Sequence, residues 1–505
     1  MATIRLDLKP QLDCHVVVVG AGPAGAAASY HLASAGFKVI LVDKEKFPRD
    51  KVCGDFVGPV AQNELSKLGI TNLPAYKKTN LITRASVYLD GTELISRQVP
   101  RVKGLPRYGR VIPRVMLDKC LLDSARGAGA EVLEGFKAVS LEVEKDCVSL
   151  NVVGPSGTRN LRALLLVGAD GSNSTIARLM RGHAPLSRDR IIAIRGYFEG
   201  VEGASNQADL HFNRESFPGY CWLFPTGKNK ANVGVGIVLD TMPAGDRLAE
   251  ILAQLIENDA ALRERLRNAK IVGRIAGWPL TTYNPNQPLV DQRVMLIGDA
   301  AGLVNPLNGE GIQNALLSGR WASEVAASCM AKNDFSRDAL SAYSGIVEKE
   351  LRYGMSLAGF IVQLIRNRSL NSVWLRSLEL IAARAQIDPD YADIVGGILM
   401  GTIPQNEATN MEIVRGTLEQ AVLSTGLTTL QAIQDPSFLA KASLDAVQTS
   451  LEITRLASQN PSDFINWVIN SAASAIDLAI ASSRSASRHS ETPEKRSTRQ
   501  LHSPG

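Results

Sequence analysis

The sequence of 505 residues contains no run of about 18 apolar residues, so no transmembrane helix is expected. Its six cysteines show no CxxC or CxxH spacing, which argues against a disulfide framework and against a bound metal. The net charge is only +5, and five Arg or Lys residues against two Glu residues after position 483 supply +3 of it (5 − 2), so a nucleic-acid partner has little support. The first residues lack an apolar segment and include Asp7 and Asp13, unlike a secretory or organelle-targeting signal. We therefore expect a cytoplasmic protein.

What the chain does contain is a strand, loop, helix and strand pattern near its N-terminus. Four consecutive valines predict a strand that is buried on both faces. The loop GAGPAG (20–25) follows, in which Gly20 permits a tight turn, Gly22 lets the backbone approach a pyrophosphate, and Gly25 lets the helix pack against the strand. Asp43 ends the second strand, where its carboxylate can accept hydrogen bonds from ribose hydroxyls. The pattern predicts a dinucleotide-binding unit, and the alternative is a glycine-rich turn without a ligand.

Two further glycine and aspartate segments follow buried-strand patterns, GADG (168–171) and GDAAG (298–302). Between them, several short strand patterns from Ile191 to Leu239 predict an inserted antiparallel sheet. From Asp334 onward the pattern is helical. The chain is therefore expected to contain more than one domain.

The three segments, in this order, resemble the FAD-binding fold of the para-hydroxybenzoate hydroxylase type. The resemblance implies that the first segment holds the FAD pyrophosphate, that the second supports the FAD and the passage of nicotinamide, and that Asp299 binds the ribityl chain. Arg114 matches the family's arginine on the phosphate and ribityl side, and Ala138 is expected beside the adenine. No second GxGxxG is present for a resident NAD(P)H. FAD is therefore the one tightly held cofactor expected, reduced by NAD(P)H or a small electron carrier.

Three other motifs narrow the resemblance, namely FPRDKVCGD (47–55), PGYCWLFP (218–225) followed by NVGVG (232–236), and NPLNGEGI (305–312). They look like the geranylgeranyl reductase family, which includes menaquinone side-chain reductases. The resemblance covers roughly residues 14 to 400 and implies an FAD-dependent enzyme that saturates isolated C=C bonds of a polyprenyl lipid. Hydride addition to such a bond builds positive charge on the other carbon, so a dry tunnel lined by aromatic side chains suits the reaction.

These patterns and the resemblance together define the expected site. The catalytic residues are expected to be Cys53, Tyr220 and Trp222. The substrate tunnel is expected to be lined by Tyr220, Trp222, Phe224 and Pro225. The residues expected to contact the cofactor are Gly20, Gly22, Ala24, Gly25, Asp43, Lys44, Cys53, Gly54, Arg114, Ala138, Asp170, Asp299, Gly311 and Ile312.

The expected fold is α/β, with a Rossmann-type FAD-binding domain, an inserted antiparallel β-sheet substrate domain and a helical C-terminal region. The expected boundaries are an N-terminal extension at 1–13, the FAD-binding domain at 14–185 and 285–335, the substrate domain at 186–284, the helical region at 336–482 and a disordered basic tail at 483–505. Strands near 80–113 are expected to belong to the substrate side.

Simpler or competing interpretations remain open for several of these residues. Cys53 could instead serve only as a small apolar packing group. The strand that contains Tyr220, Trp222 and Phe224 could instead be part of an ordinary sheet core. A flavin monooxygenase or halogenase shares the three FAD segments, but Tyr220 and Phe224 stand where halogenases carry the Trp and Ile of Trp-x-Trp-x-Ile-Pro. Lys77 and Lys78 lie in a plausible region for the halogenase tunnel lysine, although adjacent lysines are more often solvated. A third hypothesis is a prenyl-binding carrier without flavin.

A polyprenyl substrate partitions into lipid, so peripheral contact with the inner membrane surface is a further hypothesis. The candidate is an apolar stretch between Phe464 and Ile480, followed by the basic tail, whose cations would be attracted to anionic headgroups. The alternative is that this helix simply packs on the FAD-binding domain, which its many alanines would permit.

Overall fold

The computed structural model describes residues 11–214, 216–242, 247–399, 413 and 461–489. The strands are β1 Cys14–Val19, β2 Val39–Asp43, β3 Phe56–Val57, β4 Asn80–Ile82, β5 Arg84–Leu89, β6 Thr92–Gln98, β7 Gly109–Val111, β8 Glu131–Glu134, β9 Lys137–Val143, β10 Val148–Gly154, β11 Gly157–Gly168, β12 Arg190–Glu199, β13 Gln207–Phe212, β14 Tyr220–Gly227, β15 Lys230–Val238, β16 Lys270–Thr281, β17 Val290–Asp291 and β18 Val294–Leu296. The α-helices are α1 Pro23–Ser34, α2 Pro59–Lys67, α3 Pro74–Lys77, α4 Arg114–Gly127, α5 Thr175–Arg181, α6 Leu248–Asn258, α7 Ala260–Leu266, α8 Gly298–Ala301, α9 Ile312–Lys332, α10 Arg337–Ile365, α11 Asn371–Ile387, α12 Pro389–Leu399 and α13 Pro461–His489.

An eight-stranded sheet forms one half of the molecule. Six of its strands lie in the order β17-β18-β11-β1-β2-β8. Strand β1 pairs in parallel with β2 and β11, and all six of its residues are buried. A buried parallel strand needs apolar side chains on both faces, which explains the run of valines. Strands β9 and β10 extend β11 as an antiparallel meander. Helices α1 and α9 pack together, and the built Cβ of Gly319 in α9 would press against the backbone of α1.

A seven-stranded sheet forms the other half of the molecule, and its strands lie in the order β16-β12-β15-β14-β13-β5-β6. Its neighbours pair antiparallel, apart from β13 and β5, which are parallel. One face covers a core that α6 and α7 complete, while Trp222 and its neighbours lie on the other face. A small sheet of β3, β7 and β4 joins this half to the loop after β2.

The C-terminal helices flank both halves. Trp467 of α13 donates from Nε1 to the carbonyl oxygens of Gln363 and Leu364 at distances of 3.2 and 3.3 Å, which anchors α13 on α10. Helix α13 continues to His489, so the prediction of disorder from residue 483 is wrong for the residues up to 489. Residues 1–10, 400–412, 414–460 and 490–505, which include most of the predicted N-terminal extension and the rest of the predicted tail, lie outside the described residues. In the part of the chain that is described, no helix is both long and apolar enough to cross a membrane.

Candidate active site

The glycine-rich loop between β1 and α1 is shaped by two contacts of its own backbone. Gly20 has a φ of +102°, and a Cβ at this position would overlap the carbonyl group of Ala169. A Cβ at Gly25 would overlap the Gly20 carbonyl oxygen. At Gly22, by contrast, the nearest atom is Nη2 of Arg49 at 3.9 Å from the built Cβ. The outer two glycines are therefore needed by the protein itself, whereas the middle one faces open space at the N-terminus of α1, where a phosphate group fits.

Asp43 fixes this loop from the end of β2. Its Oδ2 accepts a hydrogen bond from the Ala21 N–H at 2.7 Å, and its Oδ1 accepts one from the Glu45 N–H at 2.8 Å. Burial raises the pKa of the carboxyl group, and the two N–H donors oppose this effect. Each oxygen retains a lone pair for a ribose hydroxyl, so the predicted role fits the geometry. The neighbouring Lys44 side chain is exposed to solvent.

Asp299 lies across the cleft, at the start of α8. Its Oδ2 accepts a hydrogen bond from Oγ of Ser172 at 3.0 Å. A Cβ on Gly311 would lie 3.2 Å from Oδ1 of Asp299, so the carboxylate is next to the N-terminus of α9, which begins at Ile312. A Cβ on Gly298 would lie 2.8 Å from the Ala24 side chain, which joins this segment to the glycine-rich loop. The structure thus brings the first and third predicted cofactor segments together.

Three further predicted cofactor residues have partners or burial within the protein, and their contacts with FAD stay predictions. Arg114 binds Asp118 through two hydrogen bonds of 2.7 and 2.8 Å. Asp170 accepts hydrogen bonds from the Thr175 and Ile176 N–H groups at 2.6 and 3.2 Å, and it therefore caps the start of α5. Ala138 is buried in β9.

The aromatic side chains of β14 form one continuous face. The ring centroids of Tyr220 and Trp222 are 6.2 Å apart, and those of Trp222 and Phe224 are 6.3 Å apart. Alternation along the strand explains this face, and it places Cys221 and Leu223 in the core on the opposite side. Pro225 is buried at the next position of the strand, and its place in the tunnel lining stays a prediction.

Gly54 brings the loop after β2 against this aromatic face. A Cβ at Gly54 would lie 3.1 Å from the Phe224 ring and 3.3 Å from Nε1 of Trp222. We call residues 48–55 the strap, because Arg49 at one end reaches Gly22 while Gly54 at the other end touches the aromatic face. Cys53 is half-buried in the strap, and burial raises the pKa of its thiol, so the thiol is protonated at neutral pH.

A buried polar network that the sequence reasoning missed holds the strap in place. Asp55 accepts hydrogen bonds at Oδ2 from the Tyr197 hydroxyl at 2.6 Å and from Nδ2 of Asn232 at 2.9 Å. Asn232 also donates to the Cys53 carbonyl at 2.7 Å and accepts from Nε1 of Trp222 at 3.0 Å. Burial raises the pKa of Asp55 to about 6. Both Asp55 and Asn232 lie within motifs that carried the resemblance, but nothing in the sequence indicated that they meet.

Two ionisable side chains with little access to solvent lie in this region, Lys51 on the strap and Glu310, whose charge acts on Tyr220. The ammonium group of Lys51 lies 3.7 Å from the centroid of the Trp278 ring, and within the described part of the chain it has no hydrogen-bond partner. Burial lowers the pKa of Lys51 to about 7 and raises that of Glu310 to about 7. A cation without an acceptor, an open phosphate position at Gly22 and a helix N-terminus beside Asp299 are the features that an extended anionic dinucleotide requires. The residues of the cleft therefore fit FAD.

Comparison with known proteins agrees with this geometry. The profile of the FAD binding domain family matches residues 13–317. The menaquinone reductase of Mycolicibacterium smegmatis is 32% identical over 69% of this chain and 84% of its own length. Digeranylgeranylglycerophospholipid reductase 2 of Methanopyrus kandleri is 31% identical over 72% of this chain and 90% of its own length.

Among solved structures, a geranylgeranyl bacteriochlorophyll reductase-like protein of Thermoplasma acidophilum superposes with a TM-score of 0.63 at 23% identity, covering 82% of this chain and 99% of that one. A flavin-dependent brominase superposes with a TM-score of 0.66 at 20% identity, covering 81% and 99%. The chain belongs to the FAD-binding domain family, and the predicted fold class is confirmed. It is an FAD-dependent oxidoreductase with reductases among its relatives, as the sequence resemblance predicted.

We predict that Gly22→Val and Asp299→Ala each give folded protein with little bound FAD. In the first variant the added methyl groups occupy the open phosphate position, and in the second the ribityl chain loses its acceptor. The measurement is the ratio of absorbance at about 450 nm to absorbance at 280 nm after gel filtration, with circular dichroism to check folding.

The matched control is Gly345→Val, because Gly345 is an exposed residue of α10 with no atom within 4 Å of its built Cβ. It should retain the FAD content of the unmodified protein. Unchanged FAD content in both test variants would exclude this cleft as the cofactor site.

Proposed function

We propose that this protein saturates isolated C=C bonds of a polyprenyl lipid, of the geranylgeranyl or menaquinone side-chain type. Bound FAD, once reduced, supplies the hydride. The observation that carries the proposal is the aromatic face of Tyr220, Trp222 and Phe224 directly against the strap at Gly54, next to the cofactor cleft. The names of the relatives, which are reductases of menaquinone and of digeranylgeranylglycerophospholipid, support the substrate class.

The aromatic face suits the charge that develops in this reaction. An isolated alkene has no carbonyl group to polarise it, so positive charge builds on one carbon as hydride adds to the other. The negative faces of aromatic rings attract such a charge, and they exclude water that would otherwise trap it. Trp222 is 6% exposed, and its hydrogen bond to Asn232 fixes the plane of the indole. Tyr220 is fixed by donation from its hydroxyl to the Asn308 carbonyl at 2.6 Å.

The second carbon needs a proton, and we assign its delivery to Cys53. Burial keeps the thiol protonated, and the nearby guanidinium of Arg114 opposes this effect, so Arg114 would stabilise the thiolate left after transfer. In the complete step, hydride forms one C–H bond, the S–H bond of Cys53 breaks, and its proton forms the second C–H bond. Solvent then returns a proton to the thiolate.

The halogenase alternative receives less support. The brominase comparison, at 20% identity, shows a shared fold and nothing about the reaction. Lys77 and Lys78, considered as tunnel lysines, are both exposed at the end of α3.

We expect the purified protein, with chemically reduced FAD and a polyprenyl substrate under anaerobic conditions, to form products that gain two hydrogens per reduced double bond. Mass spectrometry of the extracted lipid measures this gain. Oxygenated or halogenated products that form only in air would instead support the competing class, and the absence of bound flavin would support the carrier hypothesis.

Replacement of Cys53 by Ala should lower the rate of alkene reduction by about 10²-fold to 10⁴-fold, the usual contribution of a positioned proton donor. FAD content should change little, because Asp55 keeps its side-chain bonds to Tyr197 and Asn232 and loses only the 3.3 Å contact of its N–H with Sγ of Cys53. The control is Cys120→Ala, a half-buried thiol on α4. A Cys53→Ala variant with the full rate would show that the proton comes from another group.

We further propose that α13 docks on a membrane that contains the lipid substrate. Ile465, Ile469 and Ile476 are 55%, 58% and 61% exposed to solvent in the described structure. Their spacing of four and seven residues places them on one face of the helix, opposite the packing contact of Trp467 with α10. One face of α13 therefore packs on α10, and the opposite face is exposed and is the one that we propose docks on the membrane. The side chain of Phe464, the first residue of the predicted apolar stretch, is not among the side chains described.

A triple variant should bind anionic lipid vesicles at least tenfold more weakly than the unmodified chain in a co-sedimentation assay. It combines Ile465→Ser, Ile469→Ser and Ile476→Ser. The reason is that each isoleucine would contribute on the order of 1 kcal/mol when transferred to lipid. A truncation after Pro461 should bind as weakly as this triple variant. The control replaces the exposed Val139, Val143 and Val153 with Ser. Equal binding by the unmodified chain and both α13 variants would exclude this helix as the anchor.

A further inference from the structure

The strap crosses the whole cofactor cleft and is fixed at both ends. Arg49 reaches the open position at Gly22, and Nη2 of Arg195 donates to Asp50 at 2.5 Å. At the other end, Asp55 is held by Tyr197 and by Asn232. The backbone between these ends has little freedom to move away from the cleft.

Lys51 occupies the middle of the strap, and the geometry of its ammonium group is unusual. The nitrogen is buried over the Trp278 ring at 3.7 Å, and the described residues offer it no hydrogen-bond acceptor. The groups that act on it electrostatically are Asp299, Arg114, Cys53 and Arg49, of which Asp299 is the first in effect. A buried cation without an acceptor is costly, so a bound negative group is expected to complete this site.

The position of Lys51 along the strap indicates which part of FAD provides that group. Arg49 lies at the phosphate end, beside Gly22. Lys51 lies two residues from Arg49 and two from Cys53, so its Cα is at most about 7 Å from either of theirs. Asp299 and Cys53 both act on its charge. It therefore faces the region between the ribityl chain and the substrate, where the flavin ring belongs.

We propose that Lys51 stabilises the negatively charged, reduced flavin ring, with Trp278 as its positioning residue. Two electrons and one proton convert the neutral oxidised ring into a reduced ring with one negative charge. The electrons come from the hydride donor, or from dithionite in the test. This inference rests on the FAD assignment alone and not on the identity of the lipid substrate.

The test is the two-electron midpoint potential of the FAD-loaded protein, measured by dithionite titration with a reference dye and without any prenyl lipid. Lys51→Met should lower the equilibrium constant for reduction at least tenfold, which corresponds to about 30 mV. Lys51→Arg keeps a cation and should retain most of the potential. Lys46→Met, which removes an exposed lysine before the strap, should leave it unchanged. Trp278→Leu should give a smaller decrease than Lys51→Met.

Sulfite binding gives a second measurement for a variant that is unstable during titration. Sulfite adds to the oxidised ring and also places a negative charge on it, so Lys51→Met should weaken sulfite binding at least tenfold. The measurement is the decrease in flavin absorbance near 450 nm as sulfite is added. Lys51→Met protein with an unchanged potential and unchanged sulfite affinity would overturn the proposal. In that case a lower affinity for FAD would identify Lys51 as a phosphate ligand. Neither measurement depends on alkene reduction. A failure of the Lys51 proposal can therefore be distinguished from a failure of the proposed lipid reduction.

Discussion

The buried carboxylate of Asp55 connects the two halves of this protein. Its side chain accepts hydrogen bonds from Tyr197 and Asn232 of the seven-stranded sheet, while its own carbonyl accepts one from the Ile112 N–H at 2.8 Å. Asp55 adopts a φ of +63°, a left-handed conformation in which Asp and Asn are found more often than other non-glycine residues. Asn232, shared between Asp55, Cys53 and Trp222, transmits this constraint to the aromatic face. The cofactor cleft and the aromatic face are therefore held in register by one polar cluster.

The sequence allowed prediction of those parts of the site that depend on local geometry. The loop from Gly20 to Gly25 was recognisable because the spacing of its glycines is a local pattern, although the contact that requires Gly20 is with the distant Ala169. The face formed by Tyr220, Trp222 and Phe224 follows from the alternation of a strand. The contacts of Asp55 with Asn232 and of Lys51 with Trp278 join residues far apart in the chain, and no local pattern reports such pairs.

Two of the predicted cofactor residues have hydrogen-bond partners within the protein itself. Arg114 and Asp170 carry the side chains that the resemblance requires, yet each is satisfied by neighbours in its own segment, namely Asp118 and the start of α5. A buried charge must find a partner whether or not a ligand is present, so a charged residue in a cofactor motif often supports the loop that binds. For Pro225, strand alternation favours the side of the sheet opposite Phe224, and its role in the tunnel stays a prediction.

The two halves of the molecule differ in which atoms shape their part of the site. Around Gly20, Gly22 and Gly25 the shape of the cleft is made by backbone atoms, which many sequences can reproduce. A brominase and a reductase-like protein can therefore share the fold with this chain at about 20% identity. In the proposed reaction the substrate side is made by side chains, in particular the aromatic face, Cys53 and the cation of Lys51. On this proposal, changes in those side chains alter the charge and water content near the flavin without altering the cleft that holds it, and they decide the type of reaction.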